Sequence, residues 1–520
     1  MSATFVEVLR NAAIHRADRT AVHVAGEAPV SYAELWEAAG GVATALQVHH
    51  PEARHVALVL GNSAQWVAGL YGTALAGRTA VLLNPQLTES ELRYQIEQAD
   101  CAVVLAGPVG RAERERRRPA VLEAAGGADV VVEIVWAGDD APAGTVPWGE
   151  WVDVPPPAEP APEPAEEDTA VIIYTSGTTA LPKGVMLGHG SVVRNAHHVG
   201  RSFGLRESDQ IFSAGPFFHS GGLTLHVLLA GLYGIPALST PSFDPDGVLD
   251  FVEETRPTIY NGIETLFLRL ADSPRFAPSR LSSVRTGWST GTPAVLHTIA
   301  EDIGVPGVIG VYGISEASPN VTISPWRDTP EHRLETVGRP QPQTTVVIWD
   351  DARERAVQPG ETGEILVRGP GLMQGYYRRP EETAEALRGG YLHTGDLGRM
   401  RPDGYLEFAG RIKDIVRMGG ENISCAEVEN AIYALGGVEL AAVLPIEDDR
   451  YGQVPVAVVV PSGRDTGGSG GSEDELIKRL SANLAGYKLP KRVLFVEEMP
   501  LTESGKVQKG RLRDRILPLL

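Results

Sequence analysis

The stretch YTSGTTALPKGV, residues 174–185, gathers three threonines, three glycines or serines and one lysine directly behind an apolar run. Residues 170–174, AVIIY, read as a short buried strand. A Gly/Ser/Thr-rich loop leaving such a strand offers backbone amides and hydroxyls to a phosphate. The loop is not a kinase-type P-loop. Pro182 precedes the lysine and Gly184 follows it, so no hydroxyl after Lys183 is available for magnesium. A metal is therefore expected elsewhere, on a carboxylate. Thr175, Ser176, Thr178 and Thr179, with the amide of Gly177, remain as phosphate donors. A plain flexible turn is the alternative. Ala180 stands where such a loop favours glycine. A positive φ there costs alanine about 1 kcal/mol.

Around this loop the chain alternates helical patterns with short apolar runs: HVALVLG (55–61), TAVLLNP (79–85) and CAVVLAG (101–107). That rhythm predicts an α/β protein with a mostly parallel, helix-covered sheet. Residues 108–130 read as an exposed helix, and VPPPAEPAPEPAEED (154–168) as an extended linker. Alternation resumes over 190–310. From about 335 the strands TTVVIWD, GEILVRG and GYLEFAG predict a small β subdomain, followed after 410–414 by an α+β unit to the end. Within that unit GGSGGS (467–472) is a flexible insert, and Ser472 with Glu475 fits a helix capping box.

The 520 residues exceed what one core accommodates and imply two to four domains. A net charge of −20 argues against nucleic acid or an anionic membrane as partner, so an anionic ligand needs local positive charge. Two cysteines, Cys101 and Cys425, form no disulfide framework and read as small buried residues. The N-terminus reads as an amphipathic helix without a signal-peptide core, and no apolar run approaches a span of about 20 residues. A cytoplasmic location is expected. Only seven of the 46 basic residues are lysine, and three of those, Lys183, Lys413 and Lys506, fall in Gly-containing motifs.

Four further motifs follow in order: VYGISEA (311–317), YLHTGDLG (391–398), GRIKDIVRMGGENIS (410–424) and LTESGKVQK (501–509). With the loop at 174–185 their order and spacing resemble the adenylate-forming superfamily of acyl-CoA synthetases, peptide-synthetase adenylation domains and luciferases. The resemblance runs from about residue 25 to 515. It implies a large N-terminal domain, 1–410, with two covered sheet subdomains and a β-barrel-like subdomain from about 335. A hinge at 411–414 and a mobile α+β domain, 415–520, complete it.

The resemblance also implies roles. The loop at 175–184, with Lys183, would bind the β- and γ-phosphates of ATP. Tyr312 would stack on adenine beside Gly313, and Ser315, usually threonine, would touch the α-phosphate. Glu316 would hold Mg2+, supplying the carboxylate that the loop lacks. Asp396, assisted by Arg411, would accept the ribose hydroxyls. Lys506 would bridge the incoming carboxylate and the α-phosphate. Lys413 marks the hinge, about which the C-terminal domain would withdraw Lys506 and present RMGGEN, with Arg417, Gly419, Gly420 and Glu421, to coenzyme A.

PFFHSGGL (216–223) carries His219 and no aspartate where peptide-synthetase domains hold an amino group, GGENIS resembles the CoA-ligase version, and no carrier domain follows. These features point to a free-standing acid–CoA ligase, a monomer or homodimer, with His219 gating between acyl pocket and thiol tunnel. The acyl pocket would draw on His219, Gly221, Asn261, Gly262, Gly287, Trp288, Ser289, Gly310 and Ile314. Trp288, where relatives commonly place a small residue, should obstruct a straight tunnel and favour an aromatic, alicyclic, bulky or medium-chain acid. Transfer to a separate carrier protein, a single half-reaction, and a catalytically silent homologue are the alternatives.

Overall fold

The computed structural model describes residues 3–107, 120–124, 132–138, 141–157, 159, 161–175, 181–418, 421–448, 451–462, 472–502 and 505–520; of Glu421 and Asn422 only the backbone is described. Its centre is an eight-stranded sheet. The order is Gly375–Tyr376, Lys183–Gly188, Thr169–Thr175, Thr79–Leu82, His55–Val59, Cys101–Ala106, Glu133–Trp136 and Val146–Pro147. The strands from Thr169–Thr175 to Val146–Pro147 run parallel, while Lys183–Gly188 and Gly375–Tyr376 are added antiparallel. Continuous apolar runs such as Val56–Leu58 and Val103–Ala106 are buried because helices cover both faces of a parallel sheet.

A second, five-stranded sheet runs Ile259–Tyr260, Ile211–Phe212, Ala237–Ser239, Thr20–Val24 and Val30–Ser31. Gly287–Ser289, Val308–Gly313, Asn320–Ile323 and Arg339–Pro340 make a third sheet. The β subdomain is an antiparallel path of Arg355–Ala356, Thr345–Asp350, Thr362–Arg368, Leu392–Met400 and Leu406–Arg411.

The C-terminal unit is built on Glu421–Ser424, Ile415–Met418, Gly452–Pro461 and Val438–Asp448, with Arg492–Phe495 pairing Gly452–Pro461. Its buried residues, from Val416 to Ile516, form a hydrophobic cluster of their own, separate from the clusters of residues 5–406. A short 3-10 turn, Ile412–Asp414, joins it to the antiparallel sheet.

The N-terminal helix, Phe5–His15, buries Phe5, Val6, Val8, Leu9 and Ala12 on one face and is closed by a full capping box at Thr4 and Glu7. At Ser472 only half of the expected box is made. Its hydroxyl accepts from the Glu475 amide at 3.4 Å, and the return bond is absent. Both cysteines are buried and free. The greater part of 108–130 and the GGSGG stretch lie outside the described residues. No helix among the described residues is long and apolar enough to cross a membrane.

Packing is tight where the third sheet meets the second. The Tyr260 amide donates to the Thr286 carbonyl at 3.0 Å, and a Cβ on Gly287 would overlap the Tyr260 carbonyl oxygen. Gly287 is there for backbone approach and not for a turn. Gly287→Ala should destabilise the fold by about 1–3 kcal/mol, the usual cost of overpacking. Gly149→Ala, with nothing within 4 Å of the added carbon, should leave the melting temperature unchanged. Equal melting temperatures for the two variants would contradict this reading.

Candidate active site

Three sheets and the C-terminal unit deliver side chains to one cleft. Thr175 and Lys183 are register partners at the end of the antiparallel pair, where the strand Thr169–Thr175 reaches the carboxyl end of the central sheet. Ser176, Gly177, Thr178, Thr179 and Ala180 lie outside the described residues. Thr175 Oγ1 donates to the Lys183 carbonyl at 3.5 Å. The Lys183 ammonium stands 4.9 Å over the ring of Tyr376, and the Tyr376 hydroxyl donates to Glu316 Oε1 at 3.0 Å.

From the third sheet, Val308–Gly313 carries Tyr312 as its penultimate residue, and a 3-10 turn, Ser315–Ala317, carries Ser315 and Glu316. Ser315 Oγ is 3.2 Å from Ser220 Oγ. Tyr312 donates its hydroxyl to Asp396 Oδ2 at 2.9 Å. Its ring stacks on Phe408, centroids 5.9 Å apart, and Phe408 is 41% exposed. Asp396 and Arg411 are register partners on adjacent strands, and Arg411 Nε pairs with Asp396 Oδ1 at 3.2 Å. Both carboxylate oxygens of Asp396 are thus engaged. Burial raises its pKa, opposed by Arg411, Tyr312, Lys506 and Lys413.

Lys506 reaches this cluster from the C-terminal unit. The turn that carries it is closed by Thr502 N donating to the Lys506 carbonyl at 2.7 Å and by Lys506 N donating to Thr502 Oγ1 at 3.0 Å. Gly505, at φ 83°, rests on Thr265 and Ile263. A Cβ there would overlap Thr265 Oγ1 and lie 3.0 Å from Ile263 Cδ1. Lys506 is exposed, yet the surrounding protein, then Arg411, lowers its pKa; Glu264 and Asp396 oppose this.

Glu264 begins the helix Glu264–Ala271, half-buried at the same junction. Burial, with the Glu429 carboxylate, raises its pKa to about 7 against the pull of Lys506 and Lys509. Lys509 is held by Glu429 of its own unit at 2.8 Å and by Asp414 of the joining turn at 3.6 Å. Lys413, exposed on the 3-10 turn, has its pKa lowered by desolvation and by Arg411. Lys183, Arg411, Lys413 and Lys506 supply local positive charge in a chain of net −20.

His219 caps the short helix Ser220–Gly222, its Nδ1 accepting from the Gly221 amide at 3.3 Å. Desolvation, then Lys506, lowers its pKa to about 4, so the ring is neutral at pH 7. A Cβ on Gly221 would sit 3.7 Å from both His219 Nδ1 and Trp288 Cζ2, so the indole walls the space beside the histidine. Asn261 fixes that wall. Its amide donates to the Leu225 carbonyl at 3.1 Å and its carbonyl oxygen accepts from Trp288 N at 3.2 Å. Leu225 lies in a π-helical turn, Leu223–Leu228, and the Gly262 amide returns to the Trp288 carbonyl at 3.1 Å.

Other residues read as pocket lining are placed differently. Ser289 is fully buried and donates to the Thr290 carbonyl, and Gly287 and Gly310 abut the carbonyls of Tyr260 and Thr336. They shape the wall through the backbone. Ile314 is half-buried, its amide donating to the Pro319 carbonyl at 2.9 Å.

Arg417 is exposed on the hairpin Ile415–Met418/Glu421–Ser424, its amide donating to Gln453 at 3.0 Å, and no described contact joins it to the cleft. Gly419 and Gly420 lie outside the described residues. Two residues of the site escaped the sequence reading, Tyr376 and Phe408; Glu264 reads in the sequence as the end of a pocket-lining segment, 261–264, and not as a partner of Lys506. The doubled tyrosine of GYYRR was the only available signal for the first.

The model of the AMP-binding enzyme family matches residues 9–377, and that of the AMP-binding enzyme C-terminal domain matches 427–506. A feruloyl-CoA synthase from an Amycolatopsis species is 36% identical over 95% of this chain and 96% of its own. An indoleacetate–CoA ligase from Aromatoleum aromaticum is 32% identical over 94% of each chain. Among solved structures, an anthranilate CoA ligase in complex with anthranoyl-AMP superimposes with a TM-score of 0.90 over 100% of both chains at 25% identity. The chain belongs to the AMP-binding enzyme family, in the branch of the acyl-CoA synthetases and CoA ligases.

Proposed function

We propose that the chain is an ATP-dependent acid–CoA ligase whose acid is aromatic. The observation that carries the reading is the docking of Gly505 on Ile263 and Thr265, which sets the Lys506 charge among Asp396, Arg411 and Glu264 and close to the neutral His219. A substrate carboxylate attacks the α-phosphorus of ATP, pyrophosphate leaves, and an acyl adenylate forms. A thiolate of coenzyme A then attacks the acyl carbon and releases AMP. Both steps move negative charge on phosphate and carboxylate oxygens, so fixed donors and alignment supply the catalysis.

Lys506 bridges the carboxylate and the α-phosphate. Asp396 with Arg411 takes the ribose, and Tyr312 with Phe408 offers aromatic surface to adenine. Ser315 faces the α-phosphate, and Lys183 with the 175–184 loop holds the β- and γ-phosphates. The donor set of Glu316 fits magnesium. One oxygen accepts from Tyr376 and the other makes no hydrogen bond among the described residues. The described residues contain no group of three or more His, Cys, Asp or Glu that could hold a metal. Magnesium commonly takes one or two carboxylates, with phosphates and water completing its shell. When bound, it would neutralise phosphate charge.

His219, neutral, is an uncharged wall between acyl space and thiol path. For the second step residues 411–414, including Lys413, act as a hinge between domains 1–410 and 415–520. Lys506 withdraws, and the hairpin bearing Arg417, Gly419, Gly420 and Glu421 meets coenzyme A. The Trp288 wall supports a flat, compact acid. So do the relatives, whose names specify feruloyl-CoA, indoleacetate and anthranoyl-AMP chemistry.

ATP–pyrophosphate exchange across hydroxycinnamates, benzoates, indoleacetate and straight-chain acids, followed by a CoA-thioester assay, tests this. Exchange and thioester should both be strongest with an aryl acid, and Trp288→Gly should admit longer straight chains. Preference for a long straight chain in the unaltered protein would overturn the substrate class. Exchange without thioester would point to a carrier-protein acceptor.

Lys506→Ala should slow exchange by roughly 10²-fold, as loss of one oxyanion donor does elsewhere, while transfer from supplied acyl adenylate to CoA falls far less. Equal losses in both half-reactions would remove Lys506 from its adenylation-specific role.

Glu264 makes the folded, docked state pH-dependent. Its pKa rises from 4.5 to about 7, so its contribution is fully present below pH 4.5 and is lost as pH rises through about 7. The melting temperature of Glu264→Gln relative to the parent should therefore increase between pH 5 and pH 8. A constant difference would show that Glu264 is not held in this way.

A further inference from the structure

Tyr376 stands between the two groups that face the same end of ATP, and no role has yet been attached to it. Its ring lies 4.9 Å beneath the Lys183 ammonium, and its hydroxyl donates to Glu316 Oε1 at 3.0 Å.

The backbone around Tyr376 is tied on both sides. The Met373 amide donates to the Glu316 carbonyl at 2.8 Å, the Gln374 amide to the Met186 carbonyl at 2.9 Å, and the Tyr377 amide to the Gly184 carbonyl at 2.7 Å. Tyr376 itself pairs with Val185 in the sheet, and its amide donates to Thr383 Oγ1 at 2.9 Å. Residues 373–377 therefore stitch the strand of Lys183 to the turn of Glu316 through the main chain, and Tyr376 adds a side-chain contact to each.

We propose that Tyr376 is a positioning residue that sets the metal-holding carboxylate and the phosphate-holding lysine at a fixed separation. The inference rests on the reading of Glu316 and Lys183 given above. By engaging Oε1 the phenol would leave Glu316 Oε2 to hold a metal, as partners behind a metal ligand commonly do. The electron-rich face of the ring holds the ammonium near the phosphates before ATP arrives.

The two contacts separate by substitution. Tyr376→Phe removes the hydroxyl and keeps the ring. Mn2+ binding in the presence of ATP and absence of acid, followed by the EPR signal of free Mn2+, should weaken about tenfold, the lower end of the range for such partners. ATP affinity without metal and the melting temperature should be retained. Tyr376→Leu should in addition weaken metal-free ATP binding by about two- to fivefold, the range of an exposed cation–π contact.

Unchanged Mn2+ affinity in Tyr376→Phe would overturn the coupling to Glu316, and unchanged metal-free ATP affinity in Tyr376→Leu the coupling to Lys183. If the unaltered protein took up no Mn2+ with ATP, the parent reading would fall and the inference with it. If it bound both normally and only the Phe variant failed to differ, the inference alone would fall.

Discussion

One steric constraint fixes where Lys506 stands: Gly505 fits against Thr265 because it has no side chain. The turn around it needs a positive φ, and the surface beneath has no space for a methyl group. Two demands on one residue select glycine. The result is that Lys506, the next residue, enters the cleft at one height. The motif SGK is therefore a geometric device as well as a source of charge.

The charges around that docked turn are incompletely balanced. Asp396 has Arg411 and Tyr312 as direct partners, while Glu264 has none within ion-pair distance among the described residues and is felt by Lys506 and Lys509 across the junction. Lys509 is secured by Glu429 in its own unit and by Asp414 in the joining turn. Among the described residues no salt bridge joins 1–410 to 415–520, and across the junction Ser462 Oγ donates to Asp272 at 3.2 Å. An interface of this kind can part without stranding a tightly paired ion in a dry interior.

Much of this was readable in the residues. The apolar run before the loop, the βαβ rhythm and the change of character after 335 depend on local periodicity, which a sequence displays directly. Asp396 and Arg411 lie in two recognisable motifs, although their ladder pairing does not show in either. What could not be read was tertiary. Nothing near GYYRR says that its first tyrosine meets Lys183 and Glu316, and nothing in NGIETL says that its carboxylate faces a lysine from another unit. Gly287 and Gly310 were selected as pocket lining by position. Whether a glycine faces a ligand or a neighbouring carbonyl depends on strands that its own segment does not contain.

The cationic cleft has a consequence for traffic. ATP, pyrophosphate, AMP and coenzyme A are all anions, and the protein as a whole carries −20. At a distance the field repels every one of them. Within about 8 Å, the screening length of physiological salt, the local cations take over. The barrier therefore lies in the approach. Added salt first lowers the outer repulsion and only later weakens the inner grip, so ionic strength sets how often the anions arrive as well as how long they stay. Departing pyrophosphate feels the same profile in reverse: once it clears the lysines, the rest of the molecule pushes it away.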